Sequence, residues 1–253
     1  YQFGNNAYGK PATALNILRE TVMGRELFDY AFKEYANRWM FKHPTPEDFF
    51  RTMEDASAFD LDWFWRGWFY TTDYVDIGVK EVKKFYVSSE PNEYAKMMAK
   101  RYGMELSDLP PLVFMVEEGS EEFKEDMKNG SLLDNSIPLK EYVMDNFTEA
   151  ERANIKTPKY FYNVTFDKPG GLVMPIIVEY TYADGTTKTD HYPAEIWRLN
   201  DKEVSKSVAS DKEIVKITVD PNLETADVDT SNNSWPKEVS ESDFDKFKNE
   251  VRD

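Results

Sequence analysis

The sequence predicts an α+β protein of two domains: an all-α helical block, then an antiparallel immunoglobulin-like β-sandwich with a helical insertion. Three observations carry that expectation. Residues 10–70 hold four amphipathic helical patterns joined by short links. Residues 160–221 hold short alternating runs punctuated by turn residues, among them Pro169-Gly170-Gly171 and Asp184-Gly185. Between these regions, residues 91–157 return to helical spacing with thin apolar content. The expected boundaries are 1–73 for the helical block, 74–236 for the sandwich with its insertion near 89–157, and 237–253 for a last helix.

In chain order, the Gly/Asn-rich stretch YQFGNNAYG at residues 1–9 reads as a loop. Lys10-Pro11 opens the first helix, because proline is tolerated in a first turn. Its apolar stripe is Leu15, Leu18 and Val22, and Gly24 is its stop. A second helix over residues 25–40 repeats Phe28, Phe32, Tyr35 and Trp39, with Leu27 and Ala31 beside them. Thr45-Pro46-Glu47-Asp48 gives the third helix a hydroxyl cap, a proline at its first position and acids in its first turn. Asp60 caps a fourth over residues 61–70, where Leu61, Phe64, Trp65 and Trp68 fall at i, i+3, i+4 and i+7. So aromatic a face demands a large packing partner.

A strand at 75–87 follows, with Val75, Ile77 and Val79, then an irregularity before Val82 and Phe85. Short helices are expected at 92–102, 121–128 and 139–147, separated by Pro110-Pro111, Asn129-Gly130 and Pro138. Strands are expected at 160–166, 172–182, 187–199, 203–208 and 213–219, the second and third joined through Ala183-Asp184-Gly185-Thr186. Residues 222–236 read as a polar tail, and residues 241–251 as a short helix capped by Ser240 or Ser242.

Composition excludes several function classes. The balance of 47 acids against 31 bases, net −16, argues against a nucleic-acid partner. The absence of cysteine removes disulfides and thiolate metal sites. No apolar run reaches the roughly 20 residues of a membrane helix, so no membrane span is expected. The chain starts at Tyr1 without a basic-then-apolar signal segment and is in a helical pattern within about ten residues, so it reads as a fragment or processed product. Localisation is therefore open, with periplasmic or secreted as the guess.

The chemistry-bearing residues are few. The two histidines, His43 and His191, lie in different expected domains, neither has a His or Glu partner four residues on, and no HExxH occurs. No metal ligand is assigned. There is no G-x-S-x-G, and Gly170-Gly171 lacks the Gly-Lys-Ser/Thr of a phosphate loop. Asp227-Val-Asp229-Thr-Ser231 continuing to Glu238 offers oxygens at calcium-loop positions 1, 3, 5 and 12. It has Asn232 where a glycine is needed, and Pro236 interrupts it, so a turn-rich strand end is the preferred reading. Tyr8, just before a helix, is either a packing residue or a phenol able to donate to an oxyanion.

A family resemblance enters on Ala7-Tyr8-Gly9-Lys10-Pro11, Ala14-Leu15-x-x-Leu18 and Gly24-x-Glu26-x-Phe28-x-x-Ala31-Phe32-x-x-Tyr35. With His43-Pro44-Thr45-Pro46-x-Asp48-Phe49-Phe50, Met53-Glu54, Asp60-Leu61-x-Trp63-Phe64 and Trp68-Phe69, residues 5–75 resemble the end of the thermolysin-like catalytic domain of gluzincin zinc aminopeptidases, the aminopeptidase N type. Weaker echoes are Pro193-Ala194-Glu195-Ile196-Trp197 and Glu224-Thr225-Ala226-Asp227. The chain departs at Pro11, where the family usually has glycine.

The resemblance implies a zinc peptidase that removes N-terminal residues from peptides, with zinc-bound water as nucleophile. Tyr8 is the implied catalytic residue, hydrogen-bonding the oxyanion. The zinc ligands belong to a segment upstream of Tyr1, which is the implied partner together with the peptide substrate. This chain alone is expected to be inactive and to hold no cofactor. The competing expectation is a non-catalytic protein- or glycan-interaction module, or a peptidase-like protein with a decayed site. An unpartnered apolar face on the helices favours the first, and one on the sandwich favours the second.

Overall fold

Helix formation begins earlier than the sequence predicts. In the computed structural model, which describes residues 2–88, 93–105, 111–116, 136–155 and 158–237, helix α1 covers residues 2–22. It is α-helical over Gln2–Gly4, π-helical over Asn5–Gly9, α-helical over Lys10–Ile17 and π-helical again over Leu18–Val22. The loop expected at residues 1–9 is thus corrected for residues 2–9. Pro11 lacks the N–H that an α turn needs, and the widened turn before it lets the helix run through. Each π turn also shifts the helix phase. The buried face is therefore Ala14, Ile17 and Leu18, with Leu15 and Val22 only at its rim.

Gly24, at φ 81° and ψ 152°, separates α1 from α2, Arg25–Trp39. Helix α3, Pro46–Ser57, starts with the expected Thr45 cap, made reciprocal by Asp48. It ends at Ala58 in a left-handed conformation. Helix α4, Asp62–Tyr70, has Leu61 at its N-cap and not Asp60, whose Oδ1 instead accepts from the Asp62 amide at 3.2 Å. Its predicted apolar face holds: Leu61, Phe64, Trp65 and Trp68 are all buried.

The strands form two sheets, antiparallel throughout. One sheet contains β1 (Gly78–Ser88), β2 (Leu112–Val116), β3 (Ser136–Pro138), β4 (Tyr160–Asp167) and β7 (Glu203–Ser210), in the order β3-β2-β1-β4-β7. The other contains β5 (Ile176–Tyr182), β6 (Thr187–Tyr192), β8 (Ile214–Val219) and β9 (Ser234–Trp235), in the order β6-β5-β8-β9. The expected irregularity in β1 is a register shift between Val79 and Glu81. Together with the helices this makes an α+β fold.

Three strand expectations need correction. The stretch read as purely helical contributes β2 and β3 to the larger sheet, besides helices α5 (Glu93–Tyr102), α6 (Leu139–Asn146) and α7 (Glu149–Arg152). The five apolar residues of β2 do not alternate, so their period carries no strand signal. The strand expected to reach residue 199 stops at Tyr192, where Pro193 removes a donor and leads into a 3₁₀ turn, Ala194–Arg198. Part of the expected polar tail is β9, which pairs with β8 through Ile217 and Trp235. The helices expected at 121–128 and 241–251 lie outside the described residues.

One cluster of buried apolar side chains runs from the helices through both sheets, joining Leu18, Met53, Phe64 and Trp65 to Phe166, Met174, Tyr180 and Ile217. Strand β4 alternates between two cores. Tyr162, Val164 and Phe166 enter that cluster, while Phe161 points to a second one with Val113, Tyr142 and Phe147. Two buried anchors fix the connections. Trp197 Nε1 donates to the Met174 carbonyl at 2.8 Å, and the Tyr162 hydroxyl accepts from the Ile214 amide at 2.8 Å.

Candidate functional site

Tyr8 stands in the first π-helical turn, 72% exposed. Among the described residues its phenol makes no hydrogen bond; its ring meets only the edge of Phe3, at 6.4 Å between centroids. The helix is held to the end of α4 by Lys10 Nζ, which donates to the Thr71 carbonyl at 3.4 Å. A Cβ added at the adjacent Gly9 would meet nothing within 4 Å, so space beside Tyr8 is open. Turns of π type recur at functional positions because they re-aim one side chain without breaking the helix.

Other aromatics of the helices are also uncovered, Phe3, Tyr30, Phe32 and Tyr70, as is Phe41 in the turn after α2, at 98% exposure. Over residues 158–237 the exposed large apolar side chains are aliphatic: Leu199, Val215, Leu223 and Val228.

The remaining sequence candidates are not brought together around a metal. His43 lies exposed in the loop before α3, and His191 lies exposed on β6. Among the described residues the one convergent group of three metal-ligand types is Glu54, Asp60 and Asp62, with oxygens within 4.8 Å of one another. An all-carboxylate, largely exposed set does not fit catalytic zinc, which takes histidine ligands on a supported scaffold. No catalytic step is assigned to zinc on this chain.

The stretch weighed as a calcium loop is a structural staple. The Asp227 carboxylate accepts from the Ile77 amide at 3.1 Å and the Asp229 amide at 3.0 Å, and Asp229 accepts from Ser231. Asn232 Nδ2 donates to the buried Asp76 at 2.7 Å. Burial raises the Asp227 pKa above the ordinary carboxylate range, and the nearby Asp76 charge adds to the shift. These carboxylates tie the segment before β9 to the start of β1.

Sequence reasoning missed the cleft between α3 and α4. It has a volume of about 470 Å³ and is floored by Phe50 and Trp65, whose rings stack at 4.6 Å. At one end the Tyr70 hydroxyl donates to Glu47 Oε1 at 2.8 Å. At the other, Glu54 accepts from the Leu61 amide at 2.9 Å. Burial raises the Glu54 pKa, and Asp62 and Asp60 add repulsion. The signal was present as polar side chains at helical spacing: Glu47, Arg51 and Glu54 on α3, and Asp62, Arg66 and Tyr70 on α4.

Compared with protein-family models and with curated proteins, the chain matches none. No helix among the described residues is long and apolar enough to cross a membrane.

Proposed function

We propose that this chain is the C-terminal part of a zinc-dependent aminopeptidase of the gluzincin type. Residues 1–73 close its catalytic domain, and the two sheets form an immunoglobulin-like sandwich after it. The observation that carries the proposal is Tyr8, an exposed phenol on a π-helical turn that makes no hydrogen bond among the described residues. The resemblance around Ala7-Tyr8-Gly9-Lys10-Pro11 gives that phenol a role. Its O–H donates to the oxyanion formed when a peptide carbonyl is attacked, a bond that strengthens as charge develops. The uncovered aromatics of α1 and α2 further support a covering upstream segment of the same protein, and that segment carries the zinc ligands. Peptides with a free N-terminus are the substrate class.

The test is made on the isolated 253-residue chain and on the same chain joined to its upstream segment. The isolated chain is expected to bind no stoichiometric zinc and to release no N-terminal residue from peptide substrates. The longer protein is expected to do both. Zinc-dependent aminopeptidase activity in the isolated chain, or its absence from the longer one, contradicts the proposal.

A further inference from the structure

The two sheets end in four edge strands, β3, β7, β6 and β9. An edge presents unpaired amides and carbonyls, and proteins blunt it with short strands, proline or a covering element. Three of these edges are blunted. Strand β3 is three residues long and ends in Pro138, and β9 is two residues long with Pro236 next. Strand β7 carries α6 and α7 against it, through Ser207 to Asn146 and Lys206 to Glu151. Strand β6 differs. It has six residues, no proline, no register shift against β5 and no described strand beyond it. A cleft of about 620 Å³ opens beside it toward β7 and α7, lined by Lys188, Asp190, Lys206 and Glu151 among others.

The hairpin sets the backbone phase of that edge. The Tyr182 amide donates to the Thr186 carbonyl at 2.9 Å, and pairing runs on to Ile176 and Tyr192 without a shift. Antiparallel partners alternate between bonded and non-bonded pairs. Lys188, Asp190 and Tyr192 therefore direct their amides and carbonyls to β5, while those of Thr187, Thr189 and His191 point outward. The side chains are sorted too. Lys188 and Asp190 lie opposite the buried Tyr180 and Val178, hence on the face toward the other sheet. There Lys188 Nζ donates to Asp190 Oδ2 at 2.9 Å, an exposed pair of little energetic weight.

We propose that β6 is a dimerisation edge, pairing antiparallel with β6 of a second copy about a two-fold axis beside Thr189. Such a contact must be self-complementary, and this register is so in two respects. Thr187, Thr189 and His191 meet His191, Thr189 and Thr187 of the second copy, so outward amides face outward carbonyls. Lys188 stands opposite Asp190 of the second copy, and Asp190 opposite its Lys188. These are the non-bonded pairs, whose Cα atoms approach to about 4.5 Å. Other registers fail on one count or the other. A slip of one residue sets outward groups against groups already bonded to β5. A slip of two sets Lys188 on Lys188 or Asp190 on Asp190, like charges directly opposed. The net charge of −16 per chain works against association, but at about 0.15 M salt it is screened beyond roughly 8 Å. Contacts along the edge therefore decide the outcome. The proposal does not rest on the peptidase reading.

The test is sedimentation velocity of the whole chain up to about 100 μM in about 0.15 M salt, where a reversible dimer is expected. Lys188→Glu and Asp190→Lys, each alone, are expected to weaken it about tenfold or more, because like charges then meet across the axis. Mixed together, the two variants are expected to form a heterodimer about as tight as the wild-type dimer, since each introduced charge then faces its opposite. Among the described residues Lys188 and Asp190 bond only each other, so reversing either leaves the fold intact. Thr189→Pro removes an outward donor that β5 does not use, and is expected to abolish association with an unchanged circular dichroism spectrum. Should that variant lose its fold, the mixing experiment decides alone. A wild-type chain that stays monomeric throughout overturns the proposal. So does a dimer that Lys188→Glu and Asp190→Lys leave untouched, which uses another face, and so does a mixture of the two variants that gains no dimer.

Discussion

Gly170 lies against the backbone of Tyr74 so closely that an added Cβ would stand 2.4 Å from the Tyr74 carbonyl oxygen. The Tyr74 amide donates to the Gly170 carbonyl at 3.0 Å, and the Leu172 amide returns a bond to Tyr74 at 3.2 Å. The segment leaving α4 is thereby stitched to the turn between β4 and β5. Backbone cannot yield as a side-chain tip does, so Gly170→Ala forces this stitch apart. The expected loss is about 2–4 kcal/mol, by analogy with overpacked interiors and broken buried bonds. Denaturant unfolding checks it; a change below the noise contradicts the close approach.

The Thr45 cap offers a milder test. Its Oγ1 accepts from the Asp48 amide at 3.4 Å, and Asp48 Oδ2 accepts from the Thr45 amide at 2.9 Å. Thr45→Ala is expected to cost about 1 kcal/mol, the usual value of an N-cap. Thr45→Asp, which keeps an acceptor, is expected to recover most of it.

Alkaline pH should unfold the protein in a definite window. Burial pushes the Tyr142 and Tyr192 phenols up to about 12 and that of Tyr180 further still. Tyr180 and Tyr192 also share a hydroxyl–hydroxyl bond of 3.0 Å. A phenol whose folded pKa is raised stabilises the fold fully below its unfolded value of about 10, and that contribution is lost as pH rises through the folded value. Each such group removes about 1.4 kcal/mol per pH unit between the two limits. Circular dichroism and tyrosinate absorbance are expected to change together between about pH 10 and 12. Ionisation of all fifteen tyrosines near pH 10 with the fold retained contradicts the buried pair.

Asp220 organises the turn after β8. It is 2% exposed and accepts from the Glu224 amide at 2.6 Å, the Thr225 amide at 3.0 Å and the Thr225 hydroxyl at 2.6 Å. Asp220→Ala strands these donors and is expected to cost about 3 kcal/mol or more. Asp220→Asn keeps an acceptor and tolerates the positive φ, so it is expected to cost less. Equal losses in the two variants contradict the hydrogen-bonding account.

Much of this fold was legible where local chemistry acts alone. The Thr45-Pro46 start, the four-residue face of α4 and the Asp184-Gly185 hairpin each follow from capping, period or turn conformation. The first π turn of α1 was not legible, because a composition rich in glycine and asparagine looks the same in a loop and in a helix stabilised by its continuation. Strand β2 was hidden by its unbroken apolar run, and β9 by its length of two residues, which only pairing with β8 defines. For function, Tyr8 was singled out by resemblance, while its exposure is a tertiary fact. The Arg51–Arg66 cleft was missed because its charges alternate with core residues on two separate helices and meet only in space.

The role proposed for Tyr8 is to act on the transition state of peptide hydrolysis. The most direct measurement is steady-state kinetics of Tyr8→Phe in the protein that includes the upstream segment. Removing one oxyanion donor is expected to lower kcat by about 10²–10³ while KM changes little. Because the side chain is exposed and makes no hydrogen bond among the described residues, thermal stability is expected to stay unchanged. An unaltered kcat contradicts the claim.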